Sequence, residues 1–150
     1  MLGELNEMQI DHFLLSQEMG RIACVDGNIP YIVPITYIFD GKSIICQSTI
    51  GRKLEIMRKN PNVCFEVDSR QNMANWQSVI IHGTFQELEG DEAAEAREYL
   101  FNHIWPYLTS STIHPHEHDS SLSSVDDFNR IKPVIFKIAI KEKTGRFEKH

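Results

Sequence analysis

Residues 21–47 decide the fold. In them Arg21-Ile22-Ala23-Cys24-Val25, Ile32-Val33-Pro34-Ile35-Thr36-Tyr37-Ile38-Phe39 and Ser43-Ile44-Ile45-Cys46-Gln47 are separated by Asp26-Gly27 and Asp40-Gly41. The three runs are rich in β-branched and aromatic residues, which pack well on a pleated surface. Asp-Gly between two such runs is a hairpin signal, because glycine takes the positive φ that tight turns need. The stretch therefore predicts an antiparallel meander of three strands.

On the N-terminal side, Asn6 with Gln9 three residues on is a capping-box pattern, and Ile10, Phe13 and Leu14 form an apolar face. A first helix is expected there, closed by Gly20. On the C-terminal side a short helix starting at Arg52 is stopped by Asn60-Pro61, since the residue before proline is pushed out of the α region. Residues 63–67 read as a fourth strand, 69–75 as a polar loop and 76–88 as a fifth strand. Gly83 marks a bulge or bend in that strand. Residues 91–104 read as a helix with Ala94, Arg97, Leu100, Phe101 and Ile104 at helical spacing, followed by Trp105 and Pro106. Trp105 is expected in core or dimer packing. Residues 109–129, rich in Ser, His and Asp, read as a long surface excursion, and 133–140 as the last strand. Six strands joined mostly by hairpins predict a mainly β (α+β) fold, a six-stranded antiparallel split β-barrel with short flanking helices. All 150 residues are expected to form one domain.

Ser48-Thr49-Ile50-Gly51-Arg52-Lys53 lies where the third strand turns into the short helix. A helix N-terminus offers unpaired N–H groups and a partial positive charge. Arg52 adds a planar fork of donors, Lys53 a point charge, and Ser48 and Thr49 hydroxyls. Gly51 lets the backbone approach a ligand closely. The segment suits an anion such as a phosphate but is not a Walker loop. Taken alone, the six residues fit a solvated helix start with ordinary surface cations slightly better than an anion site; the surrounding motifs change the balance.

Composition narrows the function classes. The chain is 41% hydrophobic and 24% charged with a net charge of -6, and its cations are not pooled, so a general nucleic-acid binder is not expected. No apolar run reaches membrane-spanning length and the N-terminus lacks a signal-peptide pattern, so a cytoplasmic protein with no membrane partner is expected. Cys24, Cys46 and Cys64 each lie in an apolar run without Cys-x-x-Cys spacing, and read as reduced core residues. Cys46, two residues before Ser48, is the one to watch for reactivity.

Four motifs occur in order: residues 30–37 in the second strand, Gly51-Arg52-Lys53 after the third, Asn60-Pro61-Asn62-Val63-Cys64-Phe65 opening the fourth, and Trp76-Gln77-Ser78-Val79-Ile80-Ile81-His82-Gly83 in the fifth. Together they resemble the pyridoxamine 5'-phosphate oxidase-like flavoproteins with an FMN-binding split barrel, and within them the nitroimidazole-resistance-protein-like subgroup. The resemblance runs from the first helix to Gly145-Arg146. It implies a homodimer with FMN in grooves at the subunit interface and electron transfer to a small-molecule acceptor of nitroaromatic or quinone type. By this resemblance Ser48, Thr49, Gly51, Arg52 and Lys53 hold the FMN phosphate. The backbone of Pro34, Ile35, Thr36 and Tyr37 runs along the isoalloxazine edge. Trp76 and Ser78 approach the flavin or its phosphate, from beside the partner subunit. Alternatives are a flavin-binding or redox-sensing protein without turnover, or a split barrel using deazaflavin F420 or haem.

No acid/base pair or triad stands out, and flavin chemistry needs none; the catalytic residues are unassigned. Core packing with a hydrogen-bonded hydroxyl is expected for at least one of Tyr31 and Tyr37. Trp76 either stacks at the flavin or seals a barrel end, and His82 reads as a satisfied structural histidine. His114-Pro115-His116-Glu117-His118 permits two-point metal contact but not a closed site, so no metal is expected. A further reading is that this loop covers the flavin and meets the substrate. Where the family often shows a histidine near the end of the third strand, this chain has Cys46-Gln47. Residues 141–150 do not supply the basic cluster that grips pyridoxamine phosphate, so vitamin B6 synthesis is not expected.

Overall fold

In a computed structural model, residues 1–104 and 133–150 are described. Trp105, Pro106 and the histidine-rich stretch 114–118 lie outside them. The elements in chain order are β1 (Leu2–Glu4), α1 (Glu7–Ser16), β2 (Met19–Asp26), β3 (Ile29–Phe39), β4 (Ser43–Ser48), α2 (Arg52–Lys59), β5 (Asn62–Asn72), β6 (Asn75–Glu87), α3 (Gly90–Ile104) and β7 (Val134–Glu148).

The sheet runs β1-β7-β4-β3-β2-β5-β6, and β6 pairs back onto β7. Six strands thus close into a ring, all antiparallel, which is the expected split barrel. The three-residue β1 is an addition, paired with the end of β7 (Leu2 with Glu148). Both Asp-Gly turns form. Gly27 and Gly41 adopt φ of 61° and 94°. Asp40 Oδ1 accepts from the amides of Lys42 and Ser43 at 2.8 and 2.7 Å.

Inside the ring Ile22, Cys24, Tyr37, Ile44, Cys46, Phe65, Val67, Val79, Ile81, Phe136 and Ile138 build the main core, with Ile10, Phe13 and Leu14 of α1 and Leu54, Ile56 and Met57 of α2 packed onto it. A second cluster joins Ala96 and Leu100 of α3 to Ile38, Ile45 and Ile135.

Four local expectations change. The capping box at Asn6 and Gln9 forms, with both hydrogen bonds at 2.8 Å, but α1 ends at Ser16, before Gly20. Two of its last carbonyls take side-chain donors instead: Ser16 Oγ donates to Phe13 O and the Tyr37 hydroxyl to Leu14 O, both at 2.7 Å. Gly20 sits buried in β2, where a Cβ would lie 2.5 Å from the Phe65 ring and 2.8 Å from Glu66 O, so close approach is what requires glycine there. Residues 69–72, expected in a loop, extend β5 into a hairpin arm whose side chains are largely exposed. The buried face of α3 is Ala93, Ala96 and Leu100; Ala94, Arg97 and Phe101 are exposed. His82, read as a satisfied structural histidine, is exposed and forms no side-chain hydrogen bond among the described residues. The bulge at Gly83 is present as a register shift between His82 and Gly83 against β7.

Candidate functional site

The opening in the barrel follows from how β3 shares its partners. Residues 29–36 of β3 pair with β2, whereas only Tyr37, Ile38 and Phe39 pair with β4. Below the Tyr37–Cys46 pair β4 diverges and its end, Gln47 and Ser48, pairs only with β7. On the β4 side of the Pro34-Ile35-Thr36 stretch the Pro34 carbonyl and the Thr36 N–H and carbonyl are thereby left out of the ladder, while Ile35 faces β2. Unpaired backbone donors and acceptors of this kind need another partner. Segment 48–53 leaves β4 at this split and enters α2.

At the start of α2 the geometry suits an anion. Gly51 is the N-cap with an extended backbone (φ −174°), and it supplies no side-chain cap. The first helical hydrogen bond runs from Glu55 N to Gly51 O at 3.1 Å, so the amides of Arg52, Lys53 and Leu54 precede it. A Cβ at Gly51 would meet nothing within 4 Å, so space lies in front of the helix end. Arg52 is exposed and Lys53 half-buried. Among the described residues neither cation forms an ion pair, while Arg21, Arg58, Lys137 and Lys143 are each held by carboxylates. The Arg52 guanidinium instead lies over the ring of Tyr31, 5.5 Å from its centroid. Thr49 is exposed; Ser48 is buried and donates its hydroxyl to Thr49 O at 3.0 Å, a proton it would have to turn to serve an anion.

The two cations are felt by their neighbours. Burial pushes the Cys24 thiol up, and the charges of Arg52 and Lys53 pull it part of the way back. Burial raises the fully enclosed Cys46 thiol far more, with Lys53 opposing. Cys46 is therefore a protonated core residue, and the reactivity watched for at this position has no physical basis. Tyr37 is likewise core: it packs edge-on to Phe65 at 5.2 Å and its hydroxyl, bonded to α1, is pushed well above the ordinary phenol range by burial. Only its backbone is available to a ligand. Pro34 is exposed, Ile35 buried and Thr36 half-buried.

Trp76 and Ser78 lie elsewhere. Ser48 pairs with Val134 at the start of β7 and Trp76 with Glu148 at its end. Those partners are fourteen residues apart (148 − 134), roughly 46 Å of strand contour. Trp76 is half-buried, its indole donating to Glu148 Oε2 at 3.0 Å, and Ser78 Oγ donates to Glu66 Oε2 at 3.1 Å. Both line a groove of ≈ 1010 Å³ between β6, β7 and the N-terminus of the chain, with Ile80, Ile140, Lys141 and Arg146. None of residues 48–53 belongs to that groove. Glu66 is held above the ordinary carboxylate range, first by burial and then by Asp68, with Ser78 and Arg21 opposing. Sequence reasoning missed the contacts of Tyr31 and Glu66, because each joins elements distant in the chain.

The model of the family described as pyridoxamine 5'-phosphate oxidase matches residues 6–145, nearly the whole length over which the barrel and both patches are built. The chain belongs to this family. An uncharacterized protein of Rhizobium meliloti (strain 1021) is 34% identical over 91 residues, 61% of this chain and 58% of that relative. The chain thus matches little more than half of that relative's length. The crystal structure of an FAD-binding protein from Mesorhizobium loti superposes with a TM-score of 0.77 at 24% identity, covering 98% of each chain. That of a protein named for 5-nitroimidazole antibiotic resistance from Bacteroides thetaiotaomicron gives 0.70 at 16% identity, covering 98% of this chain and 87% of that one. These similarities show the pyridoxamine oxidase-like split-barrel fold. Among the described residues no helix is long and apolar enough to cross a membrane.

Proposed function

We propose that the chain is a flavoprotein that holds FMN by its phosphate at residues 48–53 and, as a homodimer, reduces a small electrophile of nitroaromatic or quinone type. One observation carries the reading: two adjacent cations, Arg52 and Lys53, stand without a carboxylate partner among the described residues at an uncapped helix start, beside the open edge of β3. In a chain of net charge -6, cations left unpaired at a helix N-terminus fit a phosphate. The FAD-binding relative from Mesorhizobium loti supports a flavin as the group that carries it.

Flavin supplies the electron transfer when bound, so the protein's own residues bind, orient and shield. Arg52, Lys53, the hydroxyl of Thr49 and the first amides of α2 would hold the phosphate. The free edge would fix the ring by backbone hydrogen bonds through the Pro34 and Thr36 carbonyls and the Thr36 N–H, and that N–H would stabilise negative charge. Trp76 and Ser78 sit in a groove apart from this segment, which suits a second copy bringing them to it.

The test is a titration of purified protein with FMN, FAD and riboflavin, repeated with Arg52→Ala/Lys53→Ala. Each charge-assisted contact contributes about 1.5–3 kcal/mol, so the double variant should weaken FMN by at least about a hundredfold and leave riboflavin unchanged. Equal FMN affinity in both proteins removes the site. Reoxidation of the reduced holoprotein by a nitroaromatic or quinone supports turnover; slow reoxidation by every acceptor supports a flavin binder instead.

A further inference from the structure

We infer that Tyr31 is a positioning residue for the phosphate-binding arginine: its ring holds the Arg52 guanidinium at the start of α2 while leaving every N–H of that group available to an anion. The inference rests on the flavin-phosphate reading above. It begins with a contrast between Arg52 and the two arginines that carboxylates hold. Arg21 is held by Glu66 and Asp68 at 3.2 and 2.7 Å, and Arg58 by both oxygens of Glu87 at 2.7 and 3.0 Å. A carboxylate fixes a guanidinium but spends its N–H donors and cancels its charge. An aromatic face fixes it through the ring quadrupole and does neither.

Arg52 is placed for the second kind of hold. Its guanidinium carbon lies 5.5 Å from the Tyr31 centroid, inside the range of about 6 Å over which the attraction operates. Tyr31 is itself fixed: it is half-buried, paired with Cys24 across the β2–β3 ladder and packed against the main core. An exposed arginine on the first turn of a helix would otherwise sample many rotamers, and ordering it on binding costs affinity. A ring anchored in the barrel wall lowers that cost in advance. Among the described residues the Tyr31 hydroxyl forms no hydrogen bond, so the ring rather than the hydroxyl is the working part.

The experiment is a double-mutant cycle read as FMN and riboflavin affinities. Tyr31→Leu should weaken FMN by about two- to tenfold, and Tyr31→Phe should restore wild-type affinity. Riboflavin, which lacks the phosphate, should bind all variants alike, and Tyr31→Leu should add nothing once Arg52→Ala is present. If Tyr31→Leu does not fold, Tyr31→Met provides the same loss of the π face with a flexible side chain. A Tyr31 effect that is absent, equal for riboflavin, or undiminished in the Arg52→Ala background overturns the inference while the flavin-phosphate reading stands. An Arg52→Ala protein with unchanged FMN affinity overturns both.

Discussion

Tyr37→Phe isolates one hydrogen bond that ties α1 to the barrel. The hydroxyl donates at 2.7 Å to Leu14 O, a carbonyl in the last turn of α1 that no intrahelical amide reaches. Tyr37 is 1% exposed and Leu14 0%, so water cannot replace the lost donor without opening the core. Phenylalanine keeps the edge-on contact with Phe65, so the change removes the bond and little packing. A buried acceptor left unsatisfied costs about 1–3 kcal/mol, and we take about 2. For a chain of this size that lowers Tm by roughly 4–8 °C. Urea unfolding at fixed protein concentration should show the same loss as a shift in midpoint at unchanged slope. Tyr31→Phe, measured alongside, should be neutral because its hydroxyl has no partner among the described residues. A Tyr37→Phe loss below about 0.5 kcal/mol would refute the assignment of this bond as the C-terminal tie of the helix.

Three further outcomes are expected. Gly83→Ala should destabilise by about 1–3 kcal/mol, since the added methyl presses on the Ala139 carbonyl oxygen and Ile138; Gly51→Ala, with open space before it, should cost only the poorer N-cap, about 0.5 kcal/mol. Glu66 is raised in the fold, so the native state holds its proton more tightly and its charged form weighs against folding as pH climbs from 4.5 through the raised value. The stability of Glu66→Gln relative to wild type should therefore be greater at pH 7 than at pH 4, and a difference in thermal unfolding that runs the other way contradicts the burial argument. Glu87→Gln should cost less than about 1 kcal/mol despite its two bonds to Arg58, and 1 M salt should erase most of the loss.

What could be read from the residues alone was local or periodic. The Asn6–Gln9 box, both Asp-Gly turns and the Gly83 bulge need only neighbours in sequence, and each forms. The anion-suited segment was legible for the same reason: hydroxyls, glycine and two cations stand together where a strand meets a helix. Gly20 was misread as a helix cap because its actual constraint is Phe65, forty-five residues on (65 − 20). β1 was invisible because its pairing partners are residues 146–148. Residues 69–72 looked like loop because both faces of that arm meet solvent, and a strand without a buried face has no alternation to show. Leu100 of the expected α3 set is buried, but Ala94 and Arg97 were taken in place of Ala93 and Ala96, because Ala94 and Ala93 carry the same side chain; tertiary contact with β3, β4 and β7 chose between them. The Tyr31–Arg52 contact joins β3 to α2, and only the folded chain brings them together.

The most direct measurement is the absorption spectrum of the purified protein before and after addition of FMN and removal of the unbound excess. The account predicts flavin bands at about one FMN per chain, retained through that separation. A colourless protein that releases all added FMN would contradict it.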